Sequence, residues 1–361
     1  MNFILHKDFS DLSATDWNKL VEQSIADTPF SRYEYLNEWW KTLGGGEWTG
    51  KDGEGERISP LLVLVSATEN DQLIGLAPLF ITEYDGQQAL MLVGSIEISD
   101  YLDLIVREQD LPRFLSGLFD FLDSSNDSAT DLSNTGAREP RPYQWTAVDW
   151  YNIPDSSPTR AALMAEFEKR GWQYHAEIYR PTPRIALNGS FEEYLARIDK
   201  KQRHEIRRKM RRAAESELNV RFMIVDINAD IETEINAFFH LMTQDPNKAN
   251  FLTPLMREQM TVTIRTAFEQ GYLWLAFLEI GGVKVAASLN FDYKNKLWGY
   301  NSGVSREHME LSPGWVLLAH TIQWCCENNR YEFDFMRGDE EYKYRFGGVN
   351  RYVMRERVVK P

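Results

Sequence analysis

Along residues 331–335 apolar and acidic side chains alternate, with Tyr331, Phe333 and Phe335 on one face and Glu332 and Asp334 on the other. That is the period of a half-buried strand. The strand runs into Arg337-Gly338-Asp339-Glu340 and then Tyr342-Lys343-Tyr344-Arg345. It therefore ends in either a chemical site or a solvated, charged helix, because strand ends and the loops after them are where rigid scaffolds present reactive groups. From the start of the chain, the same test predicts helices at 16–24 and 31–43. Strand-like runs follow at 61–65, 73–81 and 88–93, with Tyr84-Asp85-Gly86-Gln87 as the turn between the last two. A helix at 111–122, a strand at 145–148, a helix at 158–170 and a strand at 172–178 complete the first half. Residues 44–59 and 124–142 are Gly-rich or polar without period and read as loops.

The pattern restarts after Arg180-Pro181-Thr182-Pro183-Arg184. Residues 191–217 read as one long helix, 220–225 as a strand, and 231–243 and 254–270 as helices. Three strands at 272–280, 283–291 and 297–302 form a meander, and Gly281-Gly282 is a strong two-residue hairpin signal. Ser312-Pro313-Gly314 opens a helix to 327, with serine as N-cap and proline at the first position. Strands at 331–335 and 352–359 close the chain. The halves rhyme: the strand from Leu73 leads through a Tyr-containing turn to a second strand and Gly94-Ser95, as the strand from Val283 leads to Ser302-Gly303. The expected fold is α+β, with two related domains at 1–180 and 181–361, each a mixed, mostly antiparallel sheet flanked by helices.

Composition narrows the classes. The 361 residues are 43% hydrophobic and 13% aromatic, which fits a globular chain with ample core. That aromatic share suits sheet cores and flat substrate clefts equally. The two cysteines, Cys325 and Cys326, are adjacent; they neither bridge easily nor complete a zinc site, and a reducing, cytoplasmic setting is expected. No apolar run reaches the roughly 18–20 residues of a membrane span. The formal charge is −14, yet residues 197–212 hold nine basic side chains against Asp199 and Glu205. Such a run is either a solvated helix face or an anion site for phosphate, nucleotide or RNA. The six histidines lack metal-ligand spacing and no Gly-x-Ser-x-Gly is present, so neither a metal nor a nucleophilic serine is expected.

The element order of the second half resembles the GNAT N-acyltransferase fold, in which the cofactor pyrophosphate sits at the helix after the fourth strand. Phe333-Asp334-Phe335-Met336-Arg337-Gly338-Asp339-Glu340, followed by Tyr342-Lys343-Tyr344-Arg345-Phe346-Gly347, is similar to the C-terminal signature of Fem-related, CelD-like acyltransferases named for cellulose or exopolysaccharide biosynthesis. Weaker likenesses are Ser302-Gly303 with Leu311-Ser312-Pro313-Gly314, Thr28-Pro29-Phe30 with Trp39-Trp40, Leu76-Ala77-Pro78-Leu79, Ser99-Asp100-Tyr101-Leu102-Asp103 and the basic helix from Lys201. The resemblance implies tandem GNAT-like domains and acyl transfer from acetyl-CoA or another acyl-CoA to the amine of a polar small molecule, saccharide or envelope precursor. It assigns Ser302, Leu311, Ser312, Gly314, Arg203 and Arg207 to the cofactor. A helix N-terminus with a glycine lets backbone N–H groups approach a phosphate, although Ser-Pro-Gly also suits an ordinary capped helix.

Direct acyl transfer needs a base, oxyanion donors and an acid for the leaving thiolate. Asp334 is the expected base, Tyr300 and Tyr342 the candidate acids, and backbone N–H groups at 300–302 the oxyanion donors. Arg337, Asp339, Lys343 and Arg345 either bind a charged acceptor or form a salt-bridge network. Asp100, Tyr101 and Asp103 either extend the substrate site or cap a loop. Two alternatives remain open: an aminoacyl-tRNA donor, suggested by the basic run, and a non-catalytic partner in polysaccharide assembly.

Overall fold

The computed structural model describes residues 1–43, 60–124 and 144–361. The expected loop at 44–59 and the excursion beyond Ser124 lie outside the described residues. In chain order the elements are β1 (Asn2–His6), α1 (Ala14–Val21), α2 (Tyr33–Leu43), β2 (Leu61–Glu69), β3 (Gln72–Tyr84), β4 (Gln87–Leu92), β5 (Ile105–Val106), α3 (Leu111–Asp123), β6 (Ala147–Pro154), α4 (Pro158–Arg170) and β7 (Gln173–Ala186). Then come α5 (Phe191–Arg197), α6 (Lys200–Ala214), β8 (Val220–Ile224), α7 (Ile231–Met242), α8 (Pro246–Phe251), α9 (Pro254–Glu269), β9 (Leu273–Ile280), β10 (Val283–Tyr293), β11 (Lys296–Val304), α10 (Pro313–Glu327), β12 (Glu332–Asp334), α11 (Glu341–Arg345) and β13 (Val349–Val359). The fold is α+β with mixed sheets flanked by helices.

The chain divides into two compact units, Met1–Tyr179 with Tyr352–Pro361, and Arg180–Arg351. The strand order is β1-β2-β3-β4-β6-β13 in the first unit and β8-β9-β10-β11-β12-β7 in the second. In each, an antiparallel meander is followed by one parallel pairing, β4 with β6 and β11 with β12. The rhyme read from the sequence is thus a repeat of connectivity. The sixth strand departs from sequence order: β13 lies against β6, Val353 opposite Pro154 through Val359 opposite Ala147, so the last ten residues pack with the first unit.

Three expectations change for local reasons. The prolines of 180–184 do not break β7. The Pro183 carbonyl accepts from Phe335 N at 2.9 Å and the Pro181 carbonyl from Gly338 N at 3.0 Å, so neither proline needs the N–H it lacks. Residues 191–217 form two helices, because Ile198 is extended and the Asp199 side chain caps α6 by accepting from Lys201 N and Gln202 N. Ser312 is not a side-chain cap; it is left-handed (φ 56°) and makes no capping bond.

The aromatic share is mostly core. Trp17, Trp39, Trp145, Trp150, Phe114 and Phe119 are fully buried in the first unit. In that unit the segment after β4 closes over β6. Asn152 Nδ2 donates to the carbonyls of Ile96 (3.1 Å) and Ser99 (2.9 Å), Leu102 N donates to Asn152 O (3.1 Å), and the Tyr35 hydroxyl donates to Ile98 O (2.8 Å). Asp100, Tyr101 and Asp103 are buried in this segment. Asp103 accepts from the hydroxyls of Ser157 and Thr159 at the start of α4 and from Leu104 N. Its structural role is to tie that helix down.

Burial pushes the Asp103 carboxyl up from 3.8 to about 6, against the pull of those three donors. A raised folded value means that its contribution to stability is full below the unfolded value and is lost as pH rises through the folded one. At about 1.4 kcal/mol per unit, ionising Asp103 costs about 3 kcal/mol. Urea unfolding at pH 4 and pH 7 should show this loss in the wild type relative to Asp103→Asn. A difference between the two proteins that does not change with pH would contradict it.

Candidate active site

β11 and β12 pair over only three positions, Lys296 with Glu332, Leu297 with Phe333 and Trp298 with Asp334. Beyond Trp298 they part. On β11, Leu289 of β10 faces Asn301 while Asn290 faces Gly299, so Tyr300 is the extra residue of a β-bulge. On β12, Met336 N donates to Asp334 Oδ1 at 2.8 Å, and Met336 takes a left-handed φ of 59°, turning the chain away. Gly299 sits where the strands separate; a Cβ there would stand 3.0 Å from Asp334 O and 3.1 Å from Phe333 Cζ.

The opening is a cleft of about 390 Å³. Its apolar walls are Leu317 and Leu318 of α10, Phe333, Phe335 and Phe346. Phe333 and Phe335 meet edge to face at 4.8 Å, and Phe335 meets Tyr342 likewise at 6.0 Å. The polar lining is Lys248 of α8, Ser288, Asn290, Tyr300, Asn301 and Ser302, with Arg337, Glu340, Tyr342 and Lys343 opposite. Gly314 and Trp315 bring the first turn of α10 to the same space. Gly314 is constrained, since a Cβ would lie 2.9 Å from Val304 Cγ2. Among the described residues the N–H groups of Gly314 and Trp315 have no protein acceptor, whereas Val316 N is taken by Ser312 O at 3.0 Å. The buried indole N–H of Trp315 and Asn290 Oδ1 also lack protein partners. Uncompensated polar atoms around one cleft are what a polar ligand would satisfy.

The sequence-predicted residues separate. Tyr300, Tyr342, Ser302, Gly314, Arg337 and Lys343 line the cleft. Asp334 does not: it is fully buried on the other strand face, where Oδ2 lies 2.8 Å from Lys296 Nζ and Oδ1 holds Met336 N. Lys296 also reaches Glu332 at 2.7 Å and lies 3.6 Å over the Trp298 ring. Lys343 is 2% exposed and donates to the carbonyls of Met336, Arg337 and Gly338 while pairing with Glu340 at 2.9 Å, so it braces the turn after β12. Asp339 accepts from the Tyr344 hydroxyl, and Arg345 pairs with Glu341 at 2.6 Å; both are exposed. Arg203 donates to the carbonyls of Leu195 and Ala196 at the end of α5, and Arg207 pairs with Glu192, so both are engaged by α5 rather than by the cleft. Leu311 is buried beside a second cavity lined by Arg208, Arg211 and Arg212 of α6. Asp100, Tyr101 and Asp103 belong to the first unit.

Sequence reasoning missed Lys248, Asn290, Trp315 and Glu340. Lys248 stands on a six-residue helix that hydrophobic periodicity cannot register. Its Nζ donates to Ser302 O (2.6 Å), Ser302 Oγ (3.3 Å) and Asn301 Oδ1 (3.1 Å), and burial lowers its affinity for the proton. The Asn301 side chain in turn accepts from Ser302 N at 2.8 Å. Although Tyr342 is 40% exposed, local desolvation of its phenol, then the Glu340 carboxylate, raises it above its ordinary value, and it keeps its proton at neutral pH. No protein group among the described residues bonds the Tyr342 hydroxyl.

A family profile described as "Acetyltransferase (GNAT) domain" matches residues 200–344, which include the cleft-lining residues except Phe346. Among solved structures the chain is similar over its length to FemX (TM-score 0.64, 11% identity, 98% of this chain and 97% of that one). It is also similar to a conserved protein of unknown function from Bacteroides thetaiotaomicron VPI-5482 (TM-score 0.59, 11% identity, 99% and 100%). A third is L-PGS from Bacillus licheniformis (TM-score 0.50, 12% identity, 91% and 91%). These likenesses establish the fold. No curated protein sequence matches. Among the described residues no helix is long and apolar enough to cross a membrane, and no group of three or more His, Cys, Asp and Glu side chains could hold a metal ion.

Asp334→Asn should lower unfolding free energy by about 3 kcal/mol, because it weakens a buried ion cluster. Any loss of transfer rate should vanish once rates are normalised to folded protein. A fully folded variant slowed about 100-fold or more would return Asp334 to proton transfer.

Proposed function

We propose that the second unit is an N-acyltransferase that uses acyl-CoA, with the parted strands β11 and β12 gripping the donor's arm and the first turn of α10 receiving its diphosphate. The observation that carries this reading is the cleft between two parallel strands that ends on the uncapped N–H groups of Gly314 and Trp315. The apolar walls exclude water and suit a thioester, and Asn290 Oδ1 and the Trp315 indole offer one acceptor and one donor to an amide-bearing arm.

In the proposed reaction the acceptor nitrogen attacks the thioester carbonyl carbon, the C–N bond forms, and the C–S bond breaks. Backbone N–H groups at the β11 bulge face the developing oxyanion; Ser302 N is excluded because Asn301 holds it. The thiolate takes its proton from Tyr342, whose phenol holds a proton at neutral pH. Glu340, a cleft carboxylate with a 58% exposed side chain, receives the proton lost by the amine, directly or through water. Most of the acceleration then comes from placement of the two substrates.

A second reading keeps the site and changes the donor to an aminoacyl-tRNA. Its support is the cavity lined by Arg208, Arg211, Arg212, Glu215 and Leu311, in which Arg208 is paired with Glu205 and three guanidinium groups face one lining carboxylate.

Calorimetry with acetyl-CoA should show saturable binding. Tyr342→Phe should keep that affinity and lower kcat by about 100-fold. Absence of acetyl-CoA binding by folded protein, together with tRNA binding that weakens steeply as salt rises, would overturn the acyl-CoA reading in favour of the second.

A further inference from the structure

Lys248 makes no close ion pair: the carboxylates of Asp245 and Glu340 act on it only through space, and burial outweighs them. Among the described residues no carboxylate comes within ion-pair distance of it, and its three acceptors are neutral: one carbonyl, one hydroxyl and one amide oxygen. The carboxylate across the cleft, Glu340, is already held by Lys343. Lys248 is half-buried, and burial penalises its charge. A partly desolvated ammonium on neutral acceptors alone is stabilised by any anion admitted to the cleft. Of the cleft's cations Lys343 is matched by Glu340, and Lys248 is left on neutral acceptors. A neutral amine would find that surplus of positive charge unrewarding, and a protonated one would be repelled by it. An amine that also carries an acid group brings the missing charge itself.

We propose that Lys248 anchors an anionic oxygen group of the acceptor, and that the acceptor is accordingly an amine bearing a carboxylate or a phosphate. This rests on the acyltransferase reading for the amine, while the anion site stands on the cleft alone. The bond to Ser302 O fixes Lys248 against the strand beside the β11 bulge, so an acid group held there leaves the amine a short reach from the acyl carbon. Lys248 is a specificity residue; no bond of the reaction is made or broken at it.

The anion site is tested without any donor. Trp315 lines the cleft, so its fluorescence should respond saturably to acetate or to inorganic phosphate, and the tighter of the two identifies the acid group. Lys248→Met should weaken that anion about tenfold, the worth of one charge-assisted hydrogen bond, while Lys248→Arg should retain most of the affinity. Acetyl-CoA affinity should be unchanged in Lys248→Met, which separates loss of the anion anchor from collapse of the cleft. In transfer assays with matched amines, glycine against glycinamide and phosphoethanolamine against ethanolamine, the variant should raise KM for the acidic partner only. No saturable anion response in the wild type, equal affinity in wild type and Lys248→Met, or equal use of acidic and neutral amines would overturn the proposal. Failure of acetyl-CoA to bind while the Lys248-dependent anion response persists would instead reject the donor and keep the anion site.

Discussion

A buried lysine fixes the geometry of the second unit. Lys296 is 6% exposed, and its ammonium is held between Glu332 and Asp334 and covered by the Trp298 ring. Taking these charges out of water is costly, and the pairing is tolerable only where geometry is good and each oxygen finds a partner. Both conditions hold at the last register pair of β11 and β12. The cluster pins the strands at one end, and Asp334, using its second oxygen on Met336 N, turns the chain away immediately afterwards. The cleft is the consequence: two strands joined at one end and parted at the other, with a bulge on one and a left-handed residue on the other. Close packing supports it from behind, since a Cβ on Gly303 would stand 2.3 Å from Met242 N of α7.

Among the described residues the first unit repeats this plan, with the space beside its parallel pairing filled. Its parallel pairing, Ala89 with Ala147 and Leu90 with Val148, is followed by a segment bonded along β6 through Asn152. Ile96, Ile98, Tyr101 and Leu102 of that segment are buried. A Cβ on Gly94 would meet Leu102 Cδ2 at 2.8 Å, which measures how tightly the space is filled.

What was legible in the sequence follows the range of the forces. Two-residue turns and alternating strands are local, so Gly281-Gly282 and the 283–291 and 297–302 runs could be read directly. The face of Asp334 was legible too: it opposes Phe333 and Phe335, and those two rings line the cleft. Its partners were not legible, because Lys296 reaches it from across the sheet. Arg203 and Arg207 belonged to a basic run whose members differ in what they meet, and that depends on the break at Ile198, where a seven-residue helix folds back with acids and open carbonyls. Lys248 left no periodic trace. Pro181 and Pro183 signalled a boundary by propensity, and tertiary pairing through their carbonyls overrode it.

The charge distribution bears on the donor. The protein carries −14 overall, while the cations of α6 and the cleft are local. At physiological salt a field is screened over about 8 Å, so a ligand small enough to lie within that distance of Arg211 and Arg212 feels chiefly their attraction. A long polyanion extends past the patch and meets the acidic surface over the rest of its length, where like-charge repulsion offsets what the patch contributes. A compact anionic donor captures the local field without that cost. The engagement of Arg203 and Arg207 by α5 and of Arg208 by Glu205 shrinks the basic face further. Net acidity with a small basic patch on α6 therefore weighs against tight binding of a long polyanion there.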